Sequence, residues 1–134
     1  MDSETLHRNL RDVLSRAYSP YSGVKVAAAV EYELNGETHV SYGVNVENVS
    51  YGLTVCAERS AISTAIGLGM KKITALHVMS NQQDPISPCG ACRQVVTEFM
   101  GDVDGPVHCV NESCEKSWKT TLGQLLPNRF DLNE

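Results

Sequence analysis

Leu6, Leu10, Val13, Leu14 and Ala17 recur at the three- and four-residue spacing of a helix with one buried face, and polar residues fill the gaps. Asp2 or Ser3 can cap its start and Pro20 prevents its continuation, so the pattern predicts a helix over residues 3–17. The character then changes. Lys25 to Leu34 and His39 to Val46 are rich in valine and tyrosine, and Asn35-Gly36 between them signals a tight hairpin turn. Two antiparallel strands are predicted.

Ala57, Ala61, Ile62, Ala65 and Ile66 trace a second helical face over residues 56–68, which Gly67 and Gly69 can end. Ile73 to Met79 reads as a short apolar strand and Asn81 to Ser87 as a polar loop. Cys92, Val95, Val96 and Phe99 then mark a third helix with Pro88 at its start. Val107 to Val110 and Trp118 to Thr120 are further strands, and Leu122 to Leu126 is a last helical turn before Pro127. This succession predicts the α/β class, one mixed sheet with helices on its faces. No repeat or low-complexity linker interrupts it, and 134 residues suit one domain over 1–134.

Composition narrows the setting. With 42% hydrophobic and 20% charged residues the chain has an ordinary globular balance. A net charge of −5 with scattered lysines and arginines argues against a nucleic-acid partner. No apolar run reaches the roughly 18 residues that a membrane span requires. Asp2, Glu4 and Asp12 stand where a secretory signal would carry a basic head and an apolar stretch, so the expected location is cytoplasmic. Five cysteines, an odd number, then point to metal binding or catalysis rather than to a disulfide framework.

Their spacing carries the chemistry. Cys56 opens one predicted helix, and Cys89 and Cys92 open another within Pro-Cys-Gly-Ala-Cys. Helix N-termini present free amide hydrogens and partial positive charge, which favour the thiolate that a metal needs. Cys56-Ala57-Glu58 followed by Pro88-Cys89-Gly90-Ala91-Cys92 is the signature of the zinc deaminases. Three protein ligands leave zinc a fourth position for water, the arrangement of catalytic sites, and the metal lowers the pKa of that water toward about 7. Glu58, two residues beyond a ligand, is the expected proton carrier. Zinc with three thiolates bears a formal charge of −1, so something must withdraw charge from the sulfurs. Arg59 is the candidate donor. The rival is a structural zinc site completed by Cys109, Cys114, His77 or His108.

Beyond these motifs, Tyr18 to Phe130 resembles the small cytidine deaminases. The matching stretches are Tyr-Ser-Pro-Tyr-Ser at 18–22, Asn-Val-Glu-Asn at 45–48, Cys-Ala-Glu-Arg at 56–59, Ser-Pro-Cys-Gly-Ala-Cys-Arg-Gln at 87–94 and Leu-Leu-Pro at 125–127. The resemblance implies a three-layer α/β/α fold with one mixed five-stranded sheet, one Zn2+ per chain and a homotetramer. It also implies hydrolysis of free cytidine and deoxycytidine to uridine and deoxyuridine. Asn45 and Glu47 would bind the ribose hydroxyls, with Ala57 also among the substrate contacts. Val49 and Tyr51 would reach a neighbouring subunit's site, and Phe130 would pack over the pyrimidine. The chain departs from the family's pattern at Gly23-Val24, where phenylalanine is common after Tyr-Ser at the edge of the base pocket, and at Lys25, where proline is frequent.

Two other enzyme readings and one non-enzyme reading compete. A deaminase of a modified nucleoside or of a cytosine-bearing antibiotic such as blasticidin S would share the zinc core, but Asn45 and Glu47 favour ribose. The acidic balance and compact length disfavour a nucleic-acid editing deaminase. Glu58 beside an open coordination position disfavours a zinc-dependent binding module without catalysis.

Overall fold

The computed structural model describes residues 1–132. Its elements are α1 (Ser3–Leu14), β1 (Val26–Leu34), β2 (Glu37–Val44), a single 3-10 turn (Tyr51–Leu53), α2 (Ala57–Gly67), β3 (Ile73–Ser80), α3 (Gly90–Phe99), β4 (Pro106–Asn111), β5 (Ser117–Thr121) and α4 (Leu122–Leu125). The five strands form one sheet in the order β2-β1-β3-β4-β5. Only β3 and β4 pair in parallel, with α3 in the connection between them; the other neighbours are antiparallel. The sheet is therefore mixed.

Alternation along the strands builds a layer on each side. Ala27 and Ala29 of β1, Met79 of β3 and Val110 of β4 face α1, where they meet Leu6, Leu10 and Leu14. Ala28, Val30, Leu76, Val78 and Val107 point the other way, toward Ala61 and Ile62 of α2, Val96 of α3 and Leu122 of α4. The result is the three-layer α/β/α arrangement. Full burial of a leucine such as Leu10 contributes about 1.5–3 kcal/mol, which is why a short helix holds its place here. Among the described residues no helix is long and apolar enough to cross a membrane.

The boundaries differ from the sequence reading for identifiable reasons. Helix α1 stops at Leu14 rather than at residue 17, because Arg16 N and Ala17 N bond to the carbonyls of Val13 and Leu14 in a tightened last turn. Tyr18 then bridges to Val46. Strand β2 starts at Glu37, two residues earlier than expected. Asn35 and Gly36 have φ of 56° and 81°, the left-handed pair of a two-residue hairpin turn, so Leu34 pairs directly with Glu37. Helix α3 begins at Gly90, and Pro88 lies before its Cys89 cap.

One glycine positions the site. A Cβ at Gly43 would lie 2.3 Å from Ala61 N and 2.7 Å from Ala57 O, so β2 lies backbone against backbone with α2. That contact fixes the height of the helix start, where Cys56 and Glu58 stand.

Candidate metal centre and active site

Cys56 is the N-cap of α2, Cys89 is the N-cap of α3, and Cys92 lies in the first turn of α3. Helices α2 and α3 lie on the same side of the sheet and bring their starts together. The three sulfurs fall within 4.8 Å of one another, with Cys56 Sγ and Cys89 Sγ 3.9 Å apart. Zinc bound tetrahedrally with bonds of about 2.3 Å holds its sulfurs about 3.8 Å apart, so the donors fit that ion in number, kind and spacing. Among the described residues no histidine, carboxylate or further cysteine joins the group. His77 is instead paired with Glu31, and Cys109 is buried in the core.

The electrostatics favour charge on sulfur. The Cys56 thiol is drawn down to about 5, chiefly by the Cys92 thiol that donates to it, with Arg59 and Cys89 assisting against the cost of burial. Cys92 correspondingly keeps its proton more tightly. Arg59 Nη2 donates to Cys56 Sγ at 3.3 Å, drawing charge from the sulfur as a trithiolate site requires. Cys89 Sγ accepts from Cys92 N at 3.4 Å, so an amide of the helix start also faces a sulfur.

Glu58 follows in the first turn of α2 and is 4% exposed. Burial raises its pKa, and the Cys56 thiolate pushes the same way; its own amide, Cys92 and Arg59 oppose them. A buried carboxyl with a raised pKa beside a metal-sized sulfur cluster is suited to gain and lose protons. Ala57, between Cys56 and Glu58, is fully buried and packs in the core cluster. Its methyl group is a packing element.

Of the predicted substrate residues, Glu47 and Tyr51 share one cavity. Tyr21, Ser22, Glu47, Tyr51 and Thr54 line a cavity of about 210 Å3. Glu47 accepts from Tyr21 N at 2.9 Å, from Ser22 N at 3.2 Å and from the Ser22 hydroxyl. The Ser22 hydroxyl is the chief cause of its lowered pKa. Asn45 is buried; its Oδ1 accepts from Val26 N at 2.9 Å and its Nδ2 donates to Val24 O at 2.8 Å. Val24 is half-buried beside it. Val49 and Tyr51 are 76% and 74% exposed. Phe130 stands apart, 70% exposed, in a separate cavity of about 470 Å3 with Gln94, Thr97 and Arg129.

The profile of the cytidine and deoxycytidylate deaminase zinc-binding region matches residues 1–104. The chain belongs to this deaminase family. It is 38% identical over 130 residues to the cytidine deaminase of Sporosarcina psychrophila, covering 97% of this chain and 92% of that one. The crystal structure of cytidine deaminase from Burkholderia pseudomallei superposes with a TM-score of 0.84 at 39% identity, over 97% of this chain and 100% of the other. The blasticidin-S deaminase of Bacillus cereus is similar over a shorter stretch, 31% identical over 98 residues and 67% of each chain.

Within this deaminase frame the structure adds a residue to which the sequence reading assigned no task. Arg93 Nε donates to Pro88 O at 2.8 Å, Nη1 to Leu125 O at 2.8 Å and Nη2 to Ser87 Oγ at 2.9 Å. It ties the loop entering Cys89 to the end of α4. Its position directly after Cys92 is the available sequence signal, since a fork-shaped donor there can reach back over one helical turn.

Proposed function

We propose that this chain hydrolyses the C4 amino group of free cytidine and deoxycytidine, giving the uridine product and ammonia. The observation that carries this reading is the buried Glu58 carboxyl at the meeting of two helix starts whose three sulfurs match a zinc ion. Zinc held by Cys56, Cys89 and Cys92 supplies, when bound, a Lewis acid that makes water nucleophilic at neutral pH. Glu58 takes the proton of the attacking water at its carboxylate. It passes that proton to N3 of the ring, then takes the second from the new C4 hydroxyl and gives it to the amino group, so that the C4–N bond breaks to ammonia as the carbonyl forms. Arg59 holds charge away from Cys56 meanwhile.

Asn45 and Glu47 take the ribose hydroxyls. This assignment is supported by the cavity beside Glu47 and by the lone pair and amide hydrogen that Asn45 retains after its two backbone bonds. Val24 borders the base. Decisive for the substrate is the loss of ultraviolet absorbance when purified protein meets cytidine, deoxycytidine, cytosine, the cytidine monophosphates and blasticidin S. Both nucleosides should react. Turnover of blasticidin S or of a nucleotide with none of cytidine would overturn the assignment.

The active assembly in this proposal is a homotetramer. Val49, Tyr51 and Leu53 form an exposed apolar stretch next to the Glu47 cavity, a surface suited to a second copy of the chain. Val49 and Tyr51 reach the neighbour's site there, and Phe130 offers its exposed ring to a pyrimidine. Light scattering on the active fraction should give four chains; a fully active monomer would refute the arrangement. The three thiolates also call for a reducing compartment, the cytoplasm, which cell fractionation checks.

A further inference from the structure

Residues 22–26 lead from the Glu47 cavity into β1, and two asparagines at the ends of the flanking strands hold their backbone alternately. Asn45, just past β2, bonds to Val24 O and Val26 N. Asn81, just past β3, accepts from Lys25 N at 3.0 Å and donates through Nδ2 to Gly23 O at 2.9 Å, while its own amide donates to Lys25 O at 3.1 Å. The peptides on either side of Val24 are thus clamped from both sides. Val24 N donates to Ser22 Oγ at 3.0 Å, and that hydroxyl in turn donates to Glu47. Gly23 at φ 74° permits the turn, with its amide bonded to Ser19 O.

Asn81 is exposed and is not among the residues lining the Glu47 cavity. Its bonds to residues 56 and 58 positions earlier are longer-range than a local loop turn needs. We infer that Asn81 is a positioning residue for the sugar end of the site. It acts by fixing the Val24 peptide, which orients the Ser22 hydroxyl against Glu47. This inference rests on Glu47 being the sugar contact.

Steady-state kinetics with cytidine, normalised to bound zinc, test it in the full chain. For Asn81→Ala the KM should rise about fivefold, the factor equivalent to one hydrogen bond of ordinary net strength. The kcat should stay within about twofold, because a loss of binding common to ground and transition states leaves it unchanged. Asn81→Asp keeps the acceptor for Lys25 N and loses the donor to Gly23 O, so its KM should fall between. A merely structural role would lower the active fraction and leave KM alone. An unchanged KM in the folded variants, or a kcat that falls as far as kcat/KM, overturns the inference; if the alanine variant does not fold, the aspartate variant decides. Glu47→Gln separates the two layers. If it leaves KM unmoved, the sugar reading itself has failed; if it raises KM while the Asn81 variants do not, only the positioning role has.

Discussion

Glu58→Gln is expected to give a folded chain with one zinc per chain and turnover of cytidine reduced about a thousandfold, the middle of the range for loss of a general acid–base group. Glutamine has nearly the volume of glutamate, so the first turn of α2 and the packing around it have no reason to change. None of the three sulfurs is removed. The substitution also relieves a cost, since the carboxylate is buried and its charged form disfavoured there. What is lost is the capacity to accept a proton from water and return it to the pyrimidine. Zinc content by metal analysis and turnover by absorbance must therefore separate. A zinc-loaded variant within tenfold of the parent would sink the mechanism, and joint loss of zinc and activity would place Glu58 on the metal instead.

The features that sequence made legible are those written in local spacing. Period and capping gave α1 its buried face, and Asn35-Gly36 gave the hairpin its turn, because each is decided within a few residues. The same holds for the cysteines: Cys89 and Cys92 share one helical turn, and Arg59 lies one turn beyond Cys56 on its own helix, within reach of its sulfur. The contacts around the Glu47 cavity are of another kind. Asn45 bonds to residues 19 and 21 positions away, Glu47 to residues 25 and 26 positions away, and Asn81 to residues 56 and 58 positions away at the entry to the neighbouring strand. A side chain that satisfies distant backbone leaves no periodic trace, so Asn81 reads only as loop until the strands are aligned. The 3-10 turn at Tyr51–Leu53 was also missed. Its start follows an Asn48 side chain that accepts from Ser50 N, a turn with no hydrophobic pattern to announce it.

Cys89→Ala is expected to abolish stable zinc binding and to lower the melting temperature by about 10 °C. Two effects combine. Cys89 caps α3 with its sulfur, and loss of a cap costs about 1 kcal/mol. The larger effect is linkage: an ion present at a hundred times its dissociation constant stabilises the folded chain by about 2.7 kcal/mol. In a domain of this size each kcal/mol corresponds to a few degrees. Without Cys89 only Cys56 and Cys92 remain, and two sulfurs do not close a three-ligand site. The starts of α2 and α3 then lose the ion that joins them. Treating the parent with a chelator separates the terms, because it removes the metal and leaves the cap, and it should reproduce most of the shift. Cys114→Ala is the control. That thiol faces Arg11 of α1 at 3.5 Å on the opposite side of the sheet, so its loss should leave zinc at one per chain. If Cys89→Ala instead keeps full zinc and melts with the parent, the ion is not held between the two helix starts. The proton-carrier role proposed for Glu58 then loses its support.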